Sequence, residues 1–265
     1  MEMEIRVRYL SRTYTFDPVE PAGEWRDEGA ARVCENYRVE TRTEGGAQLW
    51  RVRFTNTERT PVTIRDIAFW GRWPARLDAC VAYEEEDGAF CCHNTMGAPA
   101  RTRRLLPESF AEGYDMMLLR DGTGRAGVLG YATAECYFTS VRVEQDGRFL
   151  VRQDTECRVV EPGESIESDW IYAGGGADAE GVMRAYMETL AALAHVPPLP
   201  DTVPTGWCTW YYYLMNISQE TIRENMRVLK DNAARLPVRI VQIDDGWYEN
   251  WGDWTENERF SCGMK

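Results

Sequence analysis

The sequence predicts a β + α/β protein: a first part that folds as an antiparallel sandwich, then a smaller part with parallel strands. Three observations carry this. Up to about residue 175 the chain alternates apolar and polar side chains and is punctuated by turn dipeptides. A helix-period stretch beginning at Asp178 and the prolines Pro197, Pro198, Pro200 and Pro204 then interrupt it. Beyond them the order strand, helix, strand fits one βαβ unit.

Taken in order, Ile5, Val7 and Tyr9 alternate, as do Tyr14 and Phe16, which is the period-two signal of a half-buried strand. Gly45-Gly46 is a turn dipeptide ahead of the run 49–54, and 61–69 is a second β-rich run. The runs 128–131 and 137–143 follow, and Asp146-Gly147 signals a hairpin before 149–151. Pro162-Gly163 is one more turn. Short strands with regular turns and no long helical period predict a sandwich.

Asp178 then stands as an N-cap, and Met183, Met187, Leu190 and Leu193 recur on one helical face. The four prolines stop that helix and form a linker. Residues 207–211 (Trp-Cys-Thr-Trp-Tyr) read as a buried strand. Ser218 can cap a helix carrying Ile222, Met226 and Leu229, Pro237 ends it, and 238–243 is a second strand. The predicted division is a sandwich over 1–175, a helix and Pro-rich linker over 176–204, and an α/β segment over 205–265. If that segment belongs to a (β/α)₈ barrel, which needs ~250 residues, it supplies roughly two βα units. Internal repeats and low-complexity segments are absent from the sequence.

Composition excludes several function classes. The 265 residues carry 30 Lys plus Arg against 43 Asp plus Glu, a net charge of −13, which repels phosphate backbones and anionic membrane surfaces. A hydrophobic content of 44% with 12% aromatic residues is enough for a core and excludes wholesale disorder. No apolar run reaches the ~18–20 residues of a membrane helix. The opening Met1-Glu2-Met3-Glu4-Ile5-Arg6 has no signal-peptide core, so a soluble, cytoplasmic protein is expected. Eight cysteines form no C-x-x-C motif, and the two histidines, His93 and His195, join no ligand cluster. Reduced core thiols are expected, with neither metal nor cofactor.

The residues with chemical promise lie after Pro204. Ile243-Asp244-Asp245-Gly246-Trp247 places two carboxylates just past a hydrophobic strand, at the end where α/β folds hold their ligands. Neighbouring strand residues point to opposite faces, so the two Asp need a turn at Gly246 to act together. Carboxylates accept hydrogen bonds from sugar hydroxyls and Trp247 offers a flat apolar surface. A solvated Asp-Asp-Gly turn fits the same residues, and a lone Asp pair has too few oxygens for a calcium site. The aromatic group Trp207, Trp210, Tyr211, Tyr212 and Tyr213 serves equally as core packing. The loop 248–254 interleaves polar and aromatic residues, as oligosaccharide sites and surface loops both do. The acidic run 84–87 reads as a solvated loop. Cys208 has no assignable His base, and neither a phosphate loop nor a G-x-S-x-G motif occurs.

Residues 206–213 (Gly-Trp-Cys-Thr-Trp-Tyr-Tyr-Tyr) followed by 242–247 (Gln-Ile-Asp-Asp-Gly-Trp) closely resemble glycoside hydrolase family 36, the α-galactosidase or melibiase family. Gly252-Asp253-Trp254 and the ending 260–265 resemble that family's barrel opening, and the match is dense over 204–265 and weaker before it. The resemblance implies an N-terminal antiparallel β-supersandwich followed by the first two βα units of a truncated (β/α)₈ barrel. It implies that Asp244 and Asp245 bind hydroxyls of a terminal galactose, with Trp210 and Tyr211, and Trp207 and Trp247 beside them, lining the same pocket. Family members are retaining hydrolases with an Asp nucleophile and an Asp acid/base, a chemistry that needs carboxyls ~5–5.5 Å apart. Those catalytic carboxylates follow the fourth and sixth barrel strands, so neither is expected here and Asp244 and Asp245 do not take their place. Against the family's pocket-capping Trp loop, the stretch 92–97 aligns Met96, a softer contact.

The expected partners are α-galactoside oligosaccharides, and a homo-oligomer is expected in so far as family members often oligomerise. Two alternatives accompany the hydrolase reading: a galactosyltransferase of the raffinose-synthase type, and a non-catalytic carbohydrate-binding β-sandwich module.

Overall fold

The computed structural model describes residues 3–10, 16–18, 20–83 and 101–263. The stretch 92–97 with Met96, the acidic run 84–87 and Tyr14 lie outside them. The chain divides into two compact units, Met1–Val196 and Pro197–Lys265.

The first unit holds strands β1 (Met3–Leu10), β2 (Phe16–Pro18), β3 (Arg26–Glu28), β4 (Ala31–Val33), β5 (Tyr37–Glu44) and β6 (Ala47–Thr55). Next come β7 (Val62–Arg72), β8 (Leu77–Tyr83), β9 (Arg101–Arg104), β10 (Phe110–Asp121) and β11 (Ala126–Tyr131). The set closes with β12 (Phe138–Glu144), β13 (Arg148–Asp154), β14 (Val159–Val160), β15 (Ser165–Glu167), β16 (Ile171–Gly176) and helix α1 (Ala179–Leu193).

Hydrogen bonds join the strands in the order β2-β1-β7-β13-β12-β10-β11-β16-β6-β5-β4-β3, with β14 and β15 added to β7 and β6, and β8 and β9 added beside β10. The pairings are antiparallel, for example β1 with β7, β12 with β13 and β5 with β6. The sheet folds back on itself. Val7, Ile67, Phe69 and Val151 from one stretch of the order share one buried cluster with Tyr37, Val52, Phe54 and Ile171 from the other. The Val7 amide donates to the Tyr37 hydroxyl at 3.2 Å, bridging β1 and β5, which are far apart along the sheet. Burial alternates along β13 and along most of β6, so one side of each strand feeds this core.

Turn chemistry explains the hairpins. Gly45 and Gly46 both have positive φ, +57° and +84°, the backbone that a two-residue turn between β5 and β6 demands. Gly147, φ +91°, closes the three-residue loop between β12 and β13, with a Cβ that would lie 2.8 Å from the Trp73 carbonyl oxygen.

Asp178 caps α1 by accepting from the Gly181 amide at 2.8 Å. The buried face is Val182, Tyr186 and Thr189, flanked by Met183, Leu190 and Leu193, whereas Met187 is 55% exposed. The predicted stripe is therefore rotated: Tyr186 sets the helix by stacking 4.9 Å from Tyr172 and donating to the Tyr131 carbonyl at 2.8 Å. The helix is part of the first unit, packed on β11 and β16. The thiol expectation needs a similar revision. Cys34 and Cys80 are buried, Cys208 is half-buried, and Cys136, Cys157 and Cys262 are exposed.

The second unit contains β17 (Gly206–Cys208), α2 (Trp210–Tyr213), α3 (Gln219–Asp231) and β18 (Ile240–Gln242). Strands β17 and β18 pair in parallel, Gly206 opposite Ile240 and Cys208 opposite Gln242, which makes a βαβ unit. Ser218 caps α3, accepting from the Thr221 amide at 3.2 Å. The first strand is shorter than predicted. Chain direction changes at buried Thr209, whose amide donates to the Gln242 carbonyl while its own carbonyl accepts from Tyr213 to start the turn of α2, so Trp210 and Tyr211 are helical. The core of this unit is Ile217, Ile222 and Phe260, with Trp207, Tyr213, Ile243 and Trp247 packed against it. Among the described residues, no helix is long and apolar enough to cross a membrane.

Candidate functional site

Strand β18 ends at Gln242, so Asp244 and Asp245 leave the strand alternation and enter a turn at its C-terminal edge. Two contacts hold the turn to the end of β17 and a third holds it to the end of β18. The Asp244 amide donates to the Thr209 hydroxyl at 2.9 Å, the Cys208 thiol lies 3.4 Å from Asp244 Oδ2, and the Gln242 side-chain amide donates to the same oxygen at 2.9 Å. Asp244 Oδ1 in turn accepts from the Asp245 amide at 2.9 Å. Asp244 is thus a clamped carboxylate, engaged through both oxygens.

Asp245 is freer. Its Oδ1 accepts from the Tyr248 hydroxyl at 2.6 Å, and its Oδ2 has no hydrogen-bond partner among the described residues. That hydrogen bond keeps the proton on Tyr248, whose pKa is pushed up to about 12; desolvation and the Asp245 charge add to the effect. Gly246 makes the turn possible with φ +104°, and a Cβ there would sit 2.5 Å from the Met215 carbonyl oxygen. Asn257 and Arg259 lock the far side, each donating to the Gly246 carbonyl at 2.9 Å, with a second Arg259 bond to the Met215 carbonyl at 3.1 Å.

The aromatic residues separate into two kinds. Trp207 packs edge-on against Tyr213, ring centroids 6.4 Å apart, and faces the small core. Trp247 lies against Tyr248 at 5.5 Å and Trp254 at 5.8 Å, and Tyr248 against Trp251 at 6.0 Å, so the loop after the Asp pair is a connected group of rings. Trp251 and Trp254 are 75% and 87% exposed. Trp210 is half-buried and Tyr211 is 88% exposed; among the described residues neither is hydrogen-bonded to the Asp pair.

Sequence reasoning gave no separate role to Thr209, Gln242, Asn257 or Arg259, and took Tyr248 only as part of the loop 248–254. The spacing of Asn257 and Arg259 carries no motif by itself, whereas Tyr248, three positions after Asp245, is within reach once a turn is assumed. No group of three or more His, Cys, Asp or Glu among the described residues could hold a metal ion. The arrangement can hold a polyhydroxyl ligand by carboxylate hydrogen bonds and ring stacking; the two Asp are adjacent on one turn, not opposed across a cleft as a retaining pair must be.

Residues 176–259, which include this turn, match the family model described as raffinose synthase or seed imbibition protein Sip1. The galactosidase domain of the α-galactosidase-sucrose kinase AgaSK superposes with a TM-score of 0.60 at 16% identity, covering 100% of this chain and 40% of that one. The family 36 α-galactosidase AgaA from Geobacillus stearothermophilus gives 0.55 at 13%, covering 100% and 40%. An α-galactosidase from Lactobacillus brevis gives 0.53 at 11%, covering 99% and 39%. In fold the chain is similar to the family 36 α-galactosidases. The sequence resemblance and the sandwich fold agree on this, and the chain spans about 40% of the length of these solved structures. At such identities the likeness is one of fold, and AgaA has been seen with stachyose and with raffinose bound, ligands that belong to that protein.

Proposed function

We propose that this chain is the N-terminal part of an α-galactosidase-like retaining glycoside hydrolase that releases terminal α-linked galactose from oligosaccharides. In this reading β17, α3 and β18 open a (β/α)₈ barrel, and Asp244 and Asp245 grip galactose hydroxyls from the C-terminal edge of its first strands. The observation that supports it is the parallel strand pair ending in a Gly246-dependent turn that leaves one Asp245 oxygen unengaged. Asp244, clamped in the turn, and Asp245, with one oxygen unengaged, both meet the ligand, and Trp210, Tyr211 and Trp247 supply apolar faces. Nucleophile and acid/base would come from later barrel strands. The protein works in the cytoplasm, its thiols reduced.

The test is hydrolysis of p-nitrophenyl α-galactoside. The pure 265-residue chain is expected to be inactive, and activity in that material sinks the reading. In the protein as isolated from its source, Asp245→Asn should lower kcat/KM by about 10- to 150-fold, the worth of one hydrogen bond to a charged group. An unchanged kcat/KM would remove Asp245 from the sugar site.

The family-model match favours one second reading, galactosyl transfer rather than hydrolysis. Both routes share a glycosyl-enzyme intermediate, and the acceptor decides between them. Supplying sucrose with an α-galactosyl donor separates them: transfer yields a galactosylated sucrose, hydrolysis yields free galactose.

A further inference from the structure

A cleft of about 680 Å³ opens in the first unit between the layer of β1, β7 and β13 and the layer of β4, β5 and β6. Its volume falls within the ~300–1,000 Å³ range of small-molecule sites. The floor is apolar, with Ile5 and Val39 packed on the main core. Three tryptophans line it: Trp50 is buried in the wall, and Trp25 and Trp70 are half-exposed to the opening. Guanidinium groups fix both exposed rings, Arg32 lying 5.2 Å from Trp25 and Arg8 lying 5.8 Å from Trp70.

The polar lining decides the ligand class. Arg6, Arg32, Arg72 and Arg148 stand around the cleft, which by count would suit an anion. Each of them is already paired. Arg6 meets Glu4 at 2.9 Å and Glu20 at 3.0 Å, Arg72 meets Asp146 at 3.1 Å, Arg148 meets Glu144 at 2.6 Å, and Arg32 lies 3.7 Å from Asp27. Of these carboxylates Glu4 lines the cleft, while Glu20, Asp27, Glu144 and Asp146 offset the arginine charges from outside its lining. The rim therefore presents N–H donors and one carboxylate acceptor, with its charge largely paired. Hydroxyl groups, which donate and accept, suit such a rim; a phosphate would have to displace carboxylates from the arginines. Flat rings beside paired donors and acceptors suit the apolar face and hydroxyl edge of a sugar.

We propose that this cleft binds a neutral oligosaccharide, independently of the Asp244–Asp245 turn, with which it shares no residue. Trp70 and Trp25 stack on the sugar faces, and the Arg6–Glu4 pair and Arg72 bind its hydroxyls.

The experiment is saturation-transfer NMR and tryptophan-fluorescence titration of the whole chain with raffinose and maltotriose, using inorganic phosphate as the anionic control. At least one neutral sugar is expected to bind with Kd of about 1 mM, weakened at least ~10-fold by Trp70→Ala and, for maltotriose, which carries no terminal galactose, unchanged by Asp245→Asn. Thr41→Trp, a substitution at an exposed position on the cleft wall, gives the same loss from a side chain outside the core, and decides the matter should Trp70→Ala fail to fold. The proposal is overturned if neither sugar binds at about 20 mM, if maltotriose binding survives Thr41→Trp, or if it is lost in Asp245→Asn alone. Saturable phosphate binding in the cleft, or a dimer that Thr41→Trp breaks without any sugar effect, overturns it as well.

Discussion

At the scale of single residues the structure rests on a few over-determined positions. Asp66 is 1% exposed and is held by a two-pronged bond from Arg8 across β1 and β7. Removing the cation leaves a buried charge unpaired, so Arg8→Ala should cost about 3–5 kcal/mol in urea unfolding, far more than loss of a surface pair such as Arg184–Glu180. Tyr248 gives a pH signature. Its folded pKa of about 12 lies above the ordinary phenol value of 10.0, so the stabilisation is complete below pH 10 and fades as pH rises toward 12. Stability of the wild type should therefore fall between pH 10 and 12 by more than that of Tyr248→Phe; parallel curves would show that the Asp245 bond contributes nothing. The Asp-Asp-Gly turn could be read from sequence because only Gly tolerates φ +104° against the Met215 carbonyl. Its locking residues could not, since Asn257 and Arg259 act through backbone carbonyls and leave no pattern in the chain.

Elements were legible where local chemistry sets them and obscure where tertiary contacts do. Both long helices begin at their predicted caps, Asp178 and Ser218, because a cap is a local hydrogen bond. The buried face of α1 was not legible to the residue: apolar spacing selects Met187, but the contact of Tyr186 with Tyr172 and the Tyr131 carbonyl turns Met187 outward. Tyr186→Phe keeps the ring and loses that hydrogen bond. It should lower Tm by about 2–4 °C, the effect of roughly 1 kcal/mol in a domain of this size, whereas Met187→Ala should leave Tm within about 1 °C. Strand β17 was overextended because Trp210 and Tyr211 carry strand-type composition, while the hydrogen bonds of Thr209 commit them to a helical turn. Strands β5, β10 and β16 went unread: Arg, Glu, Met and Gly sit where alternation would be sought, and long-range pairing makes the strand.

The two units differ in how well they are covered. The sandwich buries a large continuous cluster running from Val7 to Ala173, and β1 is tied to β5 as well as to β7. Among the described residues from 197 on, the fully buried apolar core is Ile217, Ile222 and Phe260, while Tyr211, Tyr212, Trp251 and Trp254 are each at least 75% exposed. Its two parallel strands have no further partner among the described residues, and parallel sheets are stable when both faces are covered. A free chain of this sequence should therefore open locally in the second unit at far lower free energy than in the first. Hydrogen exchange is expected to show β17, α3 and β18 exchanging orders of magnitude faster than β7 and β13. Limited proteolysis should cut first in 197–204 and leave a resistant fragment of about the first unit. Equal protection of both units in a monomeric preparation would mean that the aromatic surface needs no cover, and would count against a barrel whose remaining strands supply that cover.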